Sequence, residues 1–136
     1  EDFAASIGAV RTKSASELLF ARQSTVTACA ANDLQALDIV FIDFKDPEGL
    51  RAEAEQGAGF GFSGKQIIHP NQVQVTQEAF TPSTSAIEYA KRIVESFESS
   101  QKEGKGAYAL DGKMIDMPLL KNAQKVLERA KAAGKV

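Results

Sequence analysis

ALDIVFIDF, at residues 36–44, is the segment whose composition points most clearly to one kind of structure. It is almost continuously apolar and rich in β-branched residues, as in a parallel strand that is covered on both faces. KDPEG at 45–49 predicts a turn, and residues 48–56 then suit a short helix. KQIIH at 65–69 predicts a second short buried strand, which Pro70 ends. Strand, helix and strand in this order indicate an α/β protein with a parallel sheet.

The segments on either side of these strands predict further helices. Ser14 and Glu17 have the spacing of a capping box, and we expect the helix that they begin to end at residues 32–33. GAGFGFSG at 57–64 is expected to be a glycine-rich connection to the second strand, and residues 71–79 to form a short helix. The first part of the chain therefore alternates between helix and strand.

The pattern changes in the C-terminal part of the chain. Ser85 and Glu88 form a second capping box, which begins a long amphipathic helix. The dipeptide Asp111-Gly112 between apolar flanks predicts a β-hairpin. Asp116, two residues before Pro118, predicts the start of a final helix. This change divides the chain into two predicted regions, 1–81 and 82–136.

Two short parallel strands and one hairpin cannot close a sheet. Both parallel strands would present open, fully apolar edges, which soluble proteins avoid, so another copy or a further segment must complete them. The sequence also begins without a methionine and without a basic and apolar leader, and we interpret its start as a processed or truncated end. We expect the chain to be the second part of a larger α/β protein, and a barrel is the simplest such fold.

The composition narrows the classes of partner. The 136 residues contain 16 Lys and Arg against 18 Asp and Glu, a net charge of −2, which gives no electrostatic basis for binding nucleic acid. No apolar run approaches the roughly 20 residues that span a bilayer. Cys29 is the only cysteine, which excludes an internal disulfide and favours a reducing compartment.

Acidic residues occur at two places where they could bind a metal ion or a ligand. Asp2, beside Glu1, suits a hard cation such as Mg²⁺, although from the residues alone a solvated acidic pair at a helix start is the favoured explanation, since paired acids are common. Asp43 and Asp46 follow the strongest predicted strand, and α/β proteins bind ligands at the carboxyl ends of their strands. The alternative for both is turn capping, which aspartate does well.

Two further places carry candidate polar groups. Lys65 suits an anion such as a phosphate or carboxylate, and His69, the only histidine, suits an acid, base or hydrogen-bond donor near pH 7. A buried histidine with satisfied hydrogen bonds is the structural alternative. Asp116 lies between Met114 and Met117, and a carboxylate in apolar surroundings has a raised pKa that suits proton transfer near neutrality. Capping of the final helix is compatible with that role.

These motifs, taken together, resemble the citrate lyase beta-subunit family within the HpcH/HpaI group of 2-keto-acid aldolases and malyl-CoA lyases, nearest the citrate lyase beta-like, citramalyl-CoA lyase branch. The resemblance covers essentially the whole chain. It rests on the order and spacing of four motifs, which are EDFAASIG at 1–8, IDFKDPEGL at 42–50, GFSGKQIIHPNQ at 61–72 and GKMIDMP at 112–118.

The resemblance implies a fold that the chain contains in part. Members are (β/α)8 TIM barrels with a helical C-terminal extension, commonly as homotrimers or hexamers. By position, residues 1–81 would be the C-terminal portion of the barrel, and residues 82–136 the extension, with its hairpin and acid/base aspartate. The family's substrate-binding arginine and a metal-binding glutamate lie before this sequence, so we expect an incomplete active site.

The resemblance also implies roles for individual residues. Asp2 matches a Mg²⁺ ligand, and Ile67, Ile68 and His69 match a strand end that lines the acyl-CoA site. Asp116 matches the acid/base aspartate, on a segment that in this family reaches over the active site of a neighbouring subunit. In cleavage this aspartate would protonate the acetyl-CoA enolate, and in the reverse direction it would deprotonate the acetyl methyl group.

The implied activity is Mg²⁺-dependent cleavage of a 3-hydroxyacyl-CoA, of the citramalyl-CoA or malyl-CoA type, to acetyl-CoA and a 2-keto acid. Malate synthase and thioesterase are candidate side activities. The expected partner is a short acyl-CoA, with neither nucleic acid nor membrane, in the mitochondrion or the cytoplasm. Two alternatives stay open: a pyruvate-releasing aldolase that does not use CoA, and a non-catalytic fragment that forms oligomers.

Overall fold

A computed structural model describes residues 2–102 and 108–136 of the chain. The chain divides into two compact units, Glu1–Phe80 and Thr81–Val136, and each is described by itself. No helix within the described residues is both long and apolar enough to cross a membrane.

The first unit alternates helices with two short strands, as the sequence predicts. Its elements are α1 (Asp2–Ser6), a 3-10 turn (Ser16–Leu18), α2 (Leu19–Ala31), β1 (Leu37–Asp38), α3 (Pro47–Phe60), β2 (Gly64–Lys65) and α4 (Gln72–Phe80). Strands β1 and β2 pair in parallel, with Leu37 opposite Gly64 and Asp38 opposite Lys65. The predicted α/β order with parallel pairing is therefore confirmed for this unit.

Both strands are much shorter than predicted over 36–44 and 65–69. After Asp38, the backbone carbonyls of this segment accept hydrogen bonds from side chains instead of from a neighbouring strand. The Lys65 amine donates to the Ile39 carbonyl at 2.7 Å, and the Gln72 amide donates to the Phe41 carbonyl at 2.8 Å. Within the described residues β1 has β2 as its one partner strand, and the apolar Leu37 side chain is 61% exposed.

One helix start and one helix end of the first unit differ from the predictions. Ala15, not Ser14, precedes the 3-10 turn in a left-handed conformation, and the Glu17 carboxylate accepts hydrogen bonds from Thr12 instead of forming a capping box. Helix α3 continues through Gly57 to Phe60, because only at Gly61 does φ become positive, at 104°. The first half of the predicted glycine-rich connection, residues 57–60, is thus helical.

The second unit consists of two helices and a hairpin. Its elements are α5 (Thr84–Lys102), β3 (Tyr108–Leu110), β4 (Lys113–Ile115) and α6 (Met117–Ala132). Ser83 caps α5 by accepting from the Ala86 N–H at 3.2 Å, so the predicted Ser85 and Glu88 box is wrong. The predicted hairpin is confirmed, with Asp111 and Gly112 at φ 51° and 75°, as a tight two-residue turn requires.

Helices α5 and α6 bury the apolar stripes that the sequence predicts. Their core is Ala90 and Ile93 from α5, Leu120 and Ala123 from α6, and Ile115 from β4. Each helix is amphipathic, and packing of these faces, not intrinsic helix propensity, supplies most of the stability of helices of this length.

Candidate functional site

A cleft of about 480 Å³ lies where the chain leaves the two parallel strands of the first unit. Because the strands are parallel, the segments that follow them emerge at the same edge, where α/β proteins bind ligands. The segment after β1 contributes Phe44 and Lys45, and the segment after β2 contributes His69 and Asn71. The remaining lining residues are Pro47, Leu50 and Gln72.

His69 is the predicted site residue that lines this cleft. Its ring stacks on Phe44, with ring centroids 4.8 Å apart and planes 15° from parallel. The Asn71 N–H donates to His69 Nδ1 at 3.2 Å, so in the neutral ring the proton sits on Nε2. One face and one nitrogen of His69 are thereby used by the protein, which leaves Nε2 as the donor that a ligand can meet.

Ile67 and Ile68 follow β2 but do not belong to the lining of the cleft. Their side chains are 40% and 54% exposed. The Ile68 N–H donates to the side chain of Gln72 at 2.9 Å. The three residues predicted to line an acyl-CoA site are therefore consecutive and accessible, and His69 alone of them faces the cleft.

Lys65 is not available to a ligand. Its amine is fully buried and pairs with the carboxylates of Glu53 and Asp38, besides the Ile39 carbonyl. Arg22 completes the network, because its guanidinium donates to both oxygens of Asp38, at 2.9 and 2.7 Å. The prediction that Lys65 binds the anion of a ligand is therefore wrong, because its amine is already paired with two carboxylates of this chain.

Asp43 and Asp46 have the capping role that was the alternative to a ligand role. Asp46 is the N-cap of α3, where it accepts from the Gly49 N–H at 2.9 Å. It also pairs with Lys13 at 2.7 Å, and this bond lowers the pKa of the Asp46 carboxyl. Asp43 accepts from the Lys45 N–H at 3.2 Å within the turn.

Asp2 lies in the first turn of the five-residue helix α1, with its side chain exposed. Within residues 2–102 and 108–136, no three His, Cys, Asp or Glu side chains cluster to hold a metal ion. Mg²⁺ takes only one or two carboxylates and completes its shell with water and substrate oxygens. The accessible carboxylate of Asp2 therefore fits one ligand position of such a site but does not by itself make the whole site.

Asp116 lies in the second unit, as the N-cap of α6. It accepts from the Leu119 N–H at 2.9 Å, and its side chain is exposed. Because side chains alternate along β4, Ile115 points inward, whereas Met114 is 74% exposed. Met117 is also 52% exposed, so these neighbours do not provide the apolar enclosure that the sequence predicts. The capping role is confirmed, and the carboxylate stays accessible.

Sequence reasoning missed two features of the first unit. Gln72 was noticed only as part of a motif, although it is buried and hydrogen-bonded to the backbone of both cleft-forming segments. The buried pairing of Arg22 with Asp38 was also missed. An arginine at a core-facing helical position was the available signal, since such a residue is buried only when it is paired.

The chain was compared with known proteins and solved structures. The family model described as HpcH/HpaI aldolase/citrate lyase matches residues 1–70. The mitochondrial citramalyl-CoA lyase of Homo sapiens is 49% identical over 130 residues, which cover 96% of this chain and 38% of that protein. The citrate lyase subunit beta of Haemophilus influenzae is 39% identical over 132 residues, which cover 97% of this chain and 45% of that protein.

Among solved structures, the protein CitE from Mycobacterium tuberculosis, in complex with magnesium, acetoacetate and coenzyme A, is similar to this chain with a TM-score of 0.76 and 33% identity. The match covers 94% of this chain and 48% of that one. The chain thus spans less than half the length of the relatives that it matches. Since the family model accounts for just over half of its residues, the chain belongs to the HpcH/HpaI aldolase/citrate lyase family.

Proposed function

We propose that this chain is the C-terminal part of a Mg²⁺-dependent lyase. Its substrate would be a 3-hydroxyacyl-CoA of the citramalyl-CoA or malyl-CoA type, and its products acetyl-CoA and a 2-keto acid. The observation that carries the proposal is the similarity, over 94% of the chain, to a structure that holds magnesium, acetoacetate and coenzyme A. The identity with a citramalyl-CoA lyase supports the same class of substrate.

We propose that residues 1–81 are the C-terminal portion of a (β/α)8 barrel and residues 82–136 its extension. The parallel pairing of β1 and β2 and the helices that follow them support this fold. The exposed apolar side chains of Leu37, Ile42 and Phe20 support it as well, because in a complete barrel neighbouring elements would cover such positions.

We propose that the cleft beside Phe44 and His69 receives part of the acyl-CoA. An aromatic stack and an imidazole donor suit a ligand with both apolar and polar groups. Lys45, also in the lining, adds a positive charge for an anionic ligand. Ile67 and Ile68 would extend this surface with accessible apolar side chains.

Asp2 would hold Mg²⁺ together with ligands from outside this chain. When bound, the ion supplies a Lewis acid and a template for the substrate oxygens.

Asp116 would hold the proton that is exchanged with the methyl carbon of the acetyl group. In cleavage it gives this proton to the carbon as acetyl-CoA forms, and in the reverse direction it removes the proton.

We propose that the assembled protein is a homotrimer or a hexamer. Its location would be mitochondrial, following the name of the human relative, or cytoplasmic. Malate synthase and thioesterase activities remain candidates for side reactions of the same site.

The test is a substrate comparison with the full-length protein. Citramalyl-CoA, malyl-CoA and the free hydroxy-keto acids that aldolases cleave are each incubated with and without Mg²⁺, and acetyl-CoA and 2-keto acid are quantified. We expect cleavage of a CoA ester only when Mg²⁺ is present. Cleavage of the free acids alone would identify an aldolase that does not use CoA, and cleavage of neither would favour a non-catalytic, oligomer-forming role.

A further inference from the structure

Gln72 is the first residue of α4, and its side chain is 1% exposed. Both the nitrogen and the oxygen of its amide bond to the backbone. Its Nε2 donates to the Phe41 carbonyl at 2.8 Å, and its Oε1 accepts from the Ile68 N–H at 2.9 Å. Phe41 belongs to the segment after β1, and Ile68 to the segment after β2. One buried side chain therefore joins the two segments that form the walls of the cleft.

The backbone itself connects these segments only near the strands. The parallel ladder contains two residue pairs, and one further bond runs from the Gln66 N–H to the Asp38 carbonyl at 3.1 Å. Phe44 and His69, which stack across the cleft, lie beyond that last bond. The Gln72 amide lies between the ladder and the stack, so it fixes the spacing of the walls where the ladder no longer does.

The turn before α4 places Gln72 for this task. The Gln72 N–H donates to the His69 carbonyl at 3.0 Å, and the Val73 N–H donates to the Pro70 carbonyl at 3.1 Å. This compact turn brings the Gln72 side chain back to the segment after β2, where it bonds to the Ile68 N–H. Removing the amide would leave the Phe41 carbonyl, whose bond is buried, without a partner, and would take the acceptor from the partly buried Ile68 N–H.

We propose that Gln72 is a positioning residue for acyl-CoA binding. Its amide sets the separation of the two segments that carry Phe44 and His69, and so the shape of the cleft, without contact with the reacting atoms. This inference rests on the proposed function, in which the cleft receives part of the acyl-CoA.

The test compares Gln72→Met with Gln74→Met in the full-length protein with saturating Mg²⁺. Both changes remove an amide from α4, but Gln74 is exposed and bonds to Glu78 within the same helix. Loss of two backbone hydrogen bonds is expected to raise the KM for the acyl-CoA about tenfold in Gln72→Met, with kcat changed by less than about twofold. Gln74→Met should leave both constants unchanged.

A purely structural role predicts a different pattern. A destabilised variant contains fewer active molecules, so kcat falls while KM stays at the wild-type value. Hydrogen exchange of the Ile68 amide gives a second readout, because its acceptor is lost in Gln72→Met and its exchange should become faster. Gln72→Asn keeps a neutral amide but is one methylene too short to reach both backbone groups, and it serves as the variant if Gln72→Met does not fold.

The outcomes separate this inference from the proposed function. A raised KM with retained kcat, in either variant, supports the positioning role. An unchanged KM in a folded variant, while the wild type cleaves the acyl-CoA normally, overturns the role of Gln72 alone. Absence of acyl-CoA cleavage by the wild type overturns the proposed function, and with it the assignment of Gln72 to an acyl-CoA cleft.

Discussion

Four charged residues in the interior of the first unit, Arg22, Asp38, Lys65 and Glu53, bury two positive and two negative charges together. A buried charge is costly unless it is paired and hydrogen-bonded, and here each charge has an opposite partner. Arg22 also lies over the ring of Phe60, with its guanidinium carbon 5.3 Å from the ring centroid. The network connects α2, β1, α3 and β2, so displacement of any member should destabilise the unit.

Helix α3 packs closely against this network, so alanine substitutions at two of its glycines should have opposite effects on the stability of the protein. A methyl group on Gly57 would overlap a carboxylate oxygen of Asp38, which Arg22 holds in place, whereas one on Gly59 meets no atom within 4 Å. Gly57→Ala should therefore destabilise the protein by about 1–3 kcal/mol. Gly59→Ala should stabilise it by about 0.5 kcal/mol, because alanine favours the helix.

Urea unfolding of both full-length variants measures this difference. Equal free energies of unfolding for Gly57→Ala and Gly59→Ala would show that Asp38 moves aside without cost, and that the network does not constrain α3.

Glu17 predicts an acid-dependent loss of stability. Hydrogen bonds from the Thr12 hydroxyl and the Thr12 N–H lower the pKa of Glu17 from its ordinary value of 4.5 to about 2. Because the folded pKa is the lower one, the stabilisation is complete above pH 4.5 and is lost as the pH falls towards 2. The stability difference between wild type and Glu17→Gln should shrink across this range. A difference that is independent of pH from 6 to about 2 would contradict the assignment.

Local motifs account for the elements that the sequence predicts well. The hairpin turn is determined by the dipeptide Asp111-Gly112 alone. The start of α6 is likewise determined by Asp116 and Pro118, which lie within three residues of each other. The apolar stripes of α5 and α6 likewise repeat with the period of a helix. The Ser14 and Glu17 box failed because Thr12 provides donors that compete for the Glu17 carboxylate.

Contacts between residues distant in sequence account for what could not be predicted. Lys65 and Glu53 are 12 residues apart, Arg22 and Asp38 are 16 apart, and the Gln72 amide reaches Phe41 across 31. No local pattern specifies such partners. The early end of β1 has the same origin, since the carbonyls of Ile39 and Phe41, which follow it, are bonded by side chains that come from β2 and α4. Resemblance to the family, and not a local pattern, assigns the proposed roles to the site residues.

The N-cap of α6 allows the structural role of Asp116 to be separated from its proposed chemical role. Asparagine also accepts from the Leu119 N–H, but alanine does not, so Asp116→Ala should cost about 1 kcal/mol of stability and Asp116→Asn only a few tenths. Thermal unfolding of the two full-length variants checks this. Equal destabilisation by both substitutions would mean that the carboxylate contributes through its charge and not as a cap.

At the scale of the whole molecule, the chain matches only part of the length of its relatives. It spans 38% of the human relative's length and 48% of the CitE chain. Neighbouring elements of the proposed barrel would cover exposed apolar side chains of the first unit, such as Leu37 and Ile42, and would add ligands to the exposed carboxylate of Asp2. The proposed metal site is therefore a property of the assembled protein.

Magnesium binding tests the role of Asp2 in that assembly. In the full-length protein, Asp2→Asn should weaken Mg²⁺ binding, measured by calorimetry, by about tenfold or more, because a hard cation loses a charged oxygen ligand. Asp43→Asn is the matched control, since Asp43 is also exposed but bonds within its turn. Equal affinities in wild type and Asp2→Asn would remove Asp2 from the metal site.

The most direct test of the account is the turnover of citramalyl-CoA or malyl-CoA by full-length Asp116→Asn, whichever the wild type cleaves. The substitution keeps the cap of α6 and removes the group that would exchange a proton with the acetyl carbon. We predict a loss of kcat of about 10²-fold or more, with Mg²⁺ affinity and unfolding temperature close to the wild-type values. Acetyl-CoA release at the wild-type rate by this variant would contradict the account.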